Sequence, residues 1–297
     1  MSANNQPPPQ AVANLPIFAT LIAAFAAAYG DPALLLRAAA GGLLLLGATT
    51  MVALLLPPNP FTLMLMLLAP IAAYSHFGVN WYRVMLLGPA GLVRPALRWD
   101  RRHWRFFGFG LMLASALLAI GVVLTMILPV PSAVVALGLL YLAARCCFLF
   151  PALAVEESYS LAFAWQHTKG QGWRLTLLLL LAGLPLMLAV SLLVSALFTA
   201  VVGVSLFDLA EMQMGGAPAP DAGVGQLTDD GQALAVSPLA TLSLKMITEA
   251  LSMAVLAVLY SIVALAFRTC TGWVPAGPAT LPAAPRDADR NGGDRQD

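Results

Sequence analysis

A chain of 297 residues that is 60% hydrophobic and only 10% charged, with a mean hydropathy of +0.84, falls outside the composition of water-soluble domains, where about a quarter of residues are charged. A net charge of +1 gives no overall basic character, so no nucleic-acid partner is expected and the placement of the charges matters more than their sum. The three cysteines, Cys146, Cys147 and Cys270, are odd in number with two adjacent, which suits neither a disulfide framework nor a zinc site; they read as small apolar fillers, and no metal or other cofactor is expected.

Residues 1–14 are rich in Pro, Gln and Asn and read as a disordered leader. No Lys or Arg precedes the apolar run that follows, so the charged start of a secretory signal is missing. Residues 15–29 would make a helix of about 22 Å, short of the roughly 30 Å hydrocarbon core, which predicts an interfacial or re-entrant helix. Counting it as a seventh span would move the N-terminus to the other side and leave the rest unchanged.

The first full span is predicted over 33–56, closed by Pro57, Pro58 and Pro60. The second covers 61–87, with a kink expected at Pro70 and with Trp81, Tyr82 and Arg83 expected at the membrane interface as aromatic belt and snorkelling arginine. A basic loop follows, in which Arg94, Arg98, Arg101, Arg102 and Arg105 are opposed by Asp100 alone. Spans over 106–128, 132–152 and 175–204 come next, the last with a second expected kink at Pro185. An acidic linker without Lys or Arg occupies 205–236. Ser237 and Pro238 match the N-cap and first-turn preferences of a sixth helix over 238–267. Residues 269–297 read as a disordered tail. The fold class is thus all-α: a polytopic transmembrane bundle over 15–268, with six spans, an N-terminal interfacial helix and a cytoplasmic surface helix.

Charge bias orients the bundle. With both termini cytoplasmic, the arginine-rich loop, Lys169, Arg174, Arg268 and the tail arginines all lie inside, and the outer turns and linker hold no Lys or Arg.

Polar and aromatic residues concentrate in Arg145 to Leu175. Ser158 or Ser160 can cap a surface helix that ends at Gly170, with Trp165 and Trp173 as anchors in the headgroup region. Ser160-Leu161, Ala164-Trp165, Thr168-Lys169-Gly170 and Trp173-Arg174-Leu175 together resemble a recurrent cytoplasmic-loop motif. It belongs to a broad group of bacterial six-span inner-membrane proteins related to the membrane domain of some glycerophosphodiester phosphodiesterases. Trp81-Tyr82-Arg83-Val84, Leu86-Leu87-Gly88, Arg101-Arg102 and Trp104-Arg105-Phe106-Phe107-Gly108 are similar to the same group's span junctions. The resemblance implies a bacterial inner-membrane location and no defined chemistry, since the chain has no phosphodiesterase domain.

Charged residues within spans are functional candidates because they cost at least about 2.5 kcal/mol at the bilayer centre. Arg145 lies roughly 10 Å from the inner end of its span by helical rise, so it can pair with Glu156 or Glu157, reach a headgroup, or bind a substrate. Lys245 and Glu249, at i and i+4, draw a polar stripe with Thr241, Thr248 and Ser252, yet the helix overhangs the core and both charges are expected at its solvated outer end. His76, with Arg83 further along the same span, completes the intramembrane candidates; a lone histidine there reads first as a packing residue and second as a proton relay. Glu156 and Glu157 are adjacent and diverge on a helix, so they make no catalytic pair. No Walker loop, Gly-x-Ser-x-Gly elbow or His-Glu-x-x-His pattern occurs, and no catalytic residue is assigned.

The function expected is a membrane component that binds anionic lipid headgroups or a protein partner through Arg98, Arg101, Arg102, Trp165, Lys169, Trp173 and Arg174. A small-molecule permease using the proline-kinked spans is the alternative, and a lipid-modifying enzyme a further one.

Overall fold

The computed structural model describes residues 15–57, 59–92, 98–127, 132–155, 160–202 and 238–275, and every regular element among them is helical. In chain order these are α1 (Ile17–Tyr29), α2 (Pro32–Leu55), α3 (Pro60–Leu87), α4 (Arg101–Ile127), α5 (Ser132–Cys146), α6 (Leu149–Ala154), α7 (Leu161–His167), α8 (Gly172–Val202) and α9 (Pro238–Thr271). Six segments are long and apolar enough to cross a membrane: α2, α3, α4, α5 with α6, α8 and α9. The protein is a multi-pass membrane protein. The leader, the linker and most of the tail fall outside the described residues, as do Arg94, Glu156, Glu157 and Ser237.

Local chemistry explains the boundaries. Asp31 accepts a hydrogen bond from Leu34 N at 3.0 Å and Pro32 opens α2. Asn59 and Thr62 satisfy each other's backbone N–H groups at 3.0 and 2.9 Å, a reciprocal cap in front of α3. Gly88 ends α3 at φ 79°, a left-handed conformation that a side chain would strain. Pro70 and Pro185 both sit inside continuous helices.

Two boundaries differ from expectation. The third span starts at Arg101 rather than 106, because Asp100 caps it: its carboxylate accepts from Arg102 N at 3.2 Å and its carbonyl from Trp104 N at 3.3 Å. Arg101, Arg102 and Arg105 therefore stand on a helix, at set angles, and not in a loop. The fourth span is broken between α5 and α6 at Cys147 and Phe148. Pro151 explains the break, since it has no N–H to offer the Cys147 carbonyl, which instead accepts from Phe150 N at 3.1 Å.

Helix α9 is the axis of the bundle, packed against α1, α2, α3 and α8, while α2 and α3 form the most extensive pair. Gly42 makes that pairing possible: a Cβ there would stand 2.8 Å from the Ala73 carbonyl oxygen and 2.9 Å from Met253 Cε. α1 docks on α9 through a stripe of Thr20, Ala24 and Ala28, and the Tyr29 hydroxyl donates to the Ala254 carbonyl at 3.3 Å. The cysteines are free and buried.

Trp81 and Tyr82 correct the interfacial expectation. Each is only 1% exposed, with Trp81 Nε1 donating to Ser261 Oγ at 3.0 Å and Tyr82 against Tyr260 with ring centroids 5.0 Å apart. The reason is the face: α3 turns these rings toward α9, and lateral position overrides depth. Arg83 folds back as well, its Nε donating to Gly91 O at 2.8 Å and its Nη1 to Ala154 O at 3.2 Å, the negative end of α6.

Candidate functional site

Among the described residues, polar chemistry gathers in four places. At the first, Arg145 near the end of α5 is 7% exposed and sits in a cage built by α5 and α7. Its Nε donates to Thr168 Oγ1 at 2.8 Å, Nη1 to the Tyr141 hydroxyl at 3.2 Å and Nη2 to the Trp165 carbonyl at 2.6 Å. The guanidinium lies 3.9 Å from the centroid of the Trp165 ring. Ser160 caps α7 by accepting from Phe163 N at 3.2 Å, and Gly170 leaves it at φ 80°, so the short helix is fixed at both ends. Gly172 completes the cage, because a Cβ there would meet Arg145 Cδ at 2.7 Å and Tyr141 Cε2 at 2.9 Å. Three hydrogen bonds and a ring face hold the arginine, and among the described residues no carboxylate pairs with it. Its chemistry is that of a clamp between the fourth span and α7.

The second place is a cavity of about 260 Å³ lined by Arg101, Arg102, Arg105 and Leu153. Among the described residues its lining is three arginines and one leucine, a combination that suits an anionic group carried on an apolar body. Arg102 Nε lies 3.7 Å from the Asp100 carboxylate. Burial would raise the Asp100 carboxyl, but the His103 hydrogen bond and the neighbouring Arg102 charge outweigh it and hold the group below the ordinary carboxylate range. Arg98, Lys169, Trp165 and Trp173 are exposed and Arg174 is half-buried; Trp173 leans on Tyr141 with centroids 4.8 Å apart.

The third place joins α3 to the start of α4. His76 and His103 stack with centroids 4.9 Å apart and planes 19° apart, and Trp99 lies against both. His103 Nδ1 is 2.8 Å from Asp100 Oδ1, and His76 Nδ1 is 3.2 Å from Asn80 Nδ2. His76 is therefore not alone.

The fourth links α9 to α3. Glu249 accepts from the Tyr74 hydroxyl at 2.5 Å and from Lys245 Nζ at 3.0 Å. The expectation of a solvated helix end fails for Glu249, which is 8% exposed and packed against Tyr74, while the Lys245 side chain is 39% exposed. Counting along α9 alone could not show that α3 presents a tyrosine at that level.

His103, Asp100 and Trp99 were missed because the segment reads as a loop; the spacing Asp100-x-x-His103 at a helix start was the available signal. Arg105 and Leu153, 48 positions apart, share the cavity only through the packing of α4 on α6. Among the described residues no group of three His, Cys, Asp or Glu is placed to hold a metal ion. No protein-family model, curated protein or solved structure matches this chain.

Proposed function

We propose that the protein is a bacterial inner-membrane component that holds an anionic phospholipid at its cytoplasmic face, with both termini on that side. The observation that carries this reading is the cavity walled by Arg101, Arg102, Arg105 and Leu153. At about 260 Å³ it suits a headgroup rather than a whole lipid, and three guanidinium groups match a phosphate by charge and by fork geometry. Arg101 is exposed and draws the headgroup in, while Leu153 meets the start of the acyl region. The caged Arg145 keeps α7 folded under the bundle, and exposed Trp165, Trp173 and Lys169 rest in the headgroup layer. The arginine-rich and tryptophan-bearing segments named above, which resemble the bacterial six-span group, agree with this location.

Native mass spectrometry of the full-length protein checks it. Phosphatidylglycerol should be retained over phosphatidylcholine, and the combined Arg101→Gln, Arg102→Gln, Arg105→Gln variant should lose that preference by about a hundredfold, at about 1 kcal/mol per charge. Equal retention by wild type and variant would refute the site. An alkaline phosphatase reporter placed in residues 215–230 should be active, and activity only after a fusion at Gln296 would invert the orientation.

A permease is the second reading, favoured by the burial of Glu249 against Tyr74 within the bundle. Solute uptake into liposomes that is abolished by Glu249→Gln would replace the lipid-binding proposal with it.

A further inference from the structure

His76, His103 and Trp99 share an unusual property: each carries a buried ring nitrogen, Nε2, Nε2 and Nε1 respectively, without a protein hydrogen-bond partner. Buried polar atoms are ordinarily satisfied, and three orphans in one ring stack at the α3–α4 junction mark a place shaped for something else. His76 is 3% exposed and His103 not at all.

The protonation of each nitrogen follows from its ring partner. His103 Nδ1 faces both the Asp100 carboxylate at 2.8 Å and the Asp100 backbone N–H at 3.3 Å, which compete for one atom. The shorter contact, to a carboxylate, requires a proton on Nδ1, so in the neutral imidazole His103 Nε2 presents a lone pair. The Asn80 amide nitrogen donates to His76 Nδ1, so His76 Nε2 carries the proton. Trp99 Nε1 is a donor only. The set is two donors and one acceptor. Stacked rings hold their N–H bonds and lone pairs in near-parallel planes, so the Nε2 atoms of His76 and His103 cannot bond each other head-on.

A hydroxyl oxygen is the complement of this set, since it accepts two hydrogen bonds and donates one. A phosphate or carboxylate oxygen would face the His103 lone pair, and a metal ion would face two N–H groups.

We propose that His76, His103 and Trp99 form a buried binding site for a single hydroxyl oxygen, supplied by water or by the alcohol of a lipid headgroup. Asp100 connects the site to the arginine cavity, since it touches His103 on one side and Arg102 on the other. The lipid source rests on the lipid-binding reading above; the water source does not.

The test is solid-state NMR of the full-length protein with ¹⁵N-labelled histidine in nanodiscs, in a His167→Gln background that leaves the signals of His76 and His103 alone. Three discs are compared: phosphatidylcholine only, with added phosphatidylglycerol, and with added phosphatidic acid, which has the charge without the terminal alcohol. His103 Nε2 should be unprotonated and hydrogen-bonded to an O–H, and His76 Nε2 protonated. The same O–H contact in all three discs identifies water, and a contact to glycerol protons in phosphatidylglycerol alone identifies the lipid alcohol; both support the site. A water contact without a lipid one, beside failed lipid retention, would remove the lipid-binding reading and leave the site standing. Protonation of His103 Nε2, the absence of any O–H contact in every disc, or coordination of equimolar Zn²⁺ by both Nε2 atoms would overturn the proposal.

Discussion

Helices α4 and α9 have the same mean hydropathy, 2.4, over their most apolar eighteen residues, yet none of that stretch is buried in α4 and 56% of it is buried in α9. Hydropathy thus measures compatibility with the membrane and is silent on which helix becomes the axis. In lipid the surroundings are as apolar as leucine, so specific packing and interhelical hydrogen bonds decide. α9 has such bonds, from Tyr74 to Glu249, from Trp81 to Ser261 and from Tyr29 to Ala254. The distal part of α4, with Met112, Leu118, Ile120 and Met126 exposed, carries two hydroxyls, Ser115 and Thr125, and that of Thr125 bonds its own helix.

The largest effect should come from cutting α9 loose. Glu249→Ala removes the acceptor of both Tyr74 and Lys245, and a loss of about 3 kcal/mol is expected from two hydrogen bonds to a buried carboxylate. Unfolding in detergent should show it, with Glu249→Gln milder; an unchanged midpoint for the alanine variant would mean that α9 is held by packing alone. Next is Arg145→Ala, which should cost about 2 kcal/mol through the lost charged hydrogen bonds and the Trp165 contact. Limited proteolysis should then cut near α7, and resistance equal to wild type would contradict the clamp.

Trp81→Phe keeps the ring in place but deletes the bond to Ser261, for a loss of about 1 kcal/mol by thermal unfolding. Leu118→Ala on the lipid-facing side of α4 should lie within about 0.5 kcal/mol of wild type. A cost like that of Glu249→Ala would erase the contrast between the two helices. Smallest is the acid limit at Asp100. Its carboxyl titrates below the ordinary range in the fold, so its contribution is complete above the unfolded value and fades as pH falls through the depressed one. Stability of Asp100→Asn should therefore differ from wild type at neutral pH and converge with it in acid.

The six spans were legible because a run of twenty or so apolar residues has few alternatives to a membrane helix. Capping was partly legible too: Ser160 before α7, Gly170 after it and Pro238 at the start of α9 all stand where local propensity puts them. Trp81 shows the limit. Its depth was countable, but the side it faces depends on the azimuth of α3, which a helix surrounded by apolar residues does not reveal through its own periodicity.

The sequence by itself determined the number of spans, most of their ends and the clustering of arginines, because these follow from hydrophobic length, capping chemistry and charge. Only the tertiary structure decided that α9 is the axis, that Glu249 meets Tyr74, that Arg145 is caged under Trp165 and that His76 stacks on His103. Those facts are pairings between residues 20 to 225 positions apart. They arise where helix faces are matched by close packing and scarce polar groups, terms that no single stretch of chain carries.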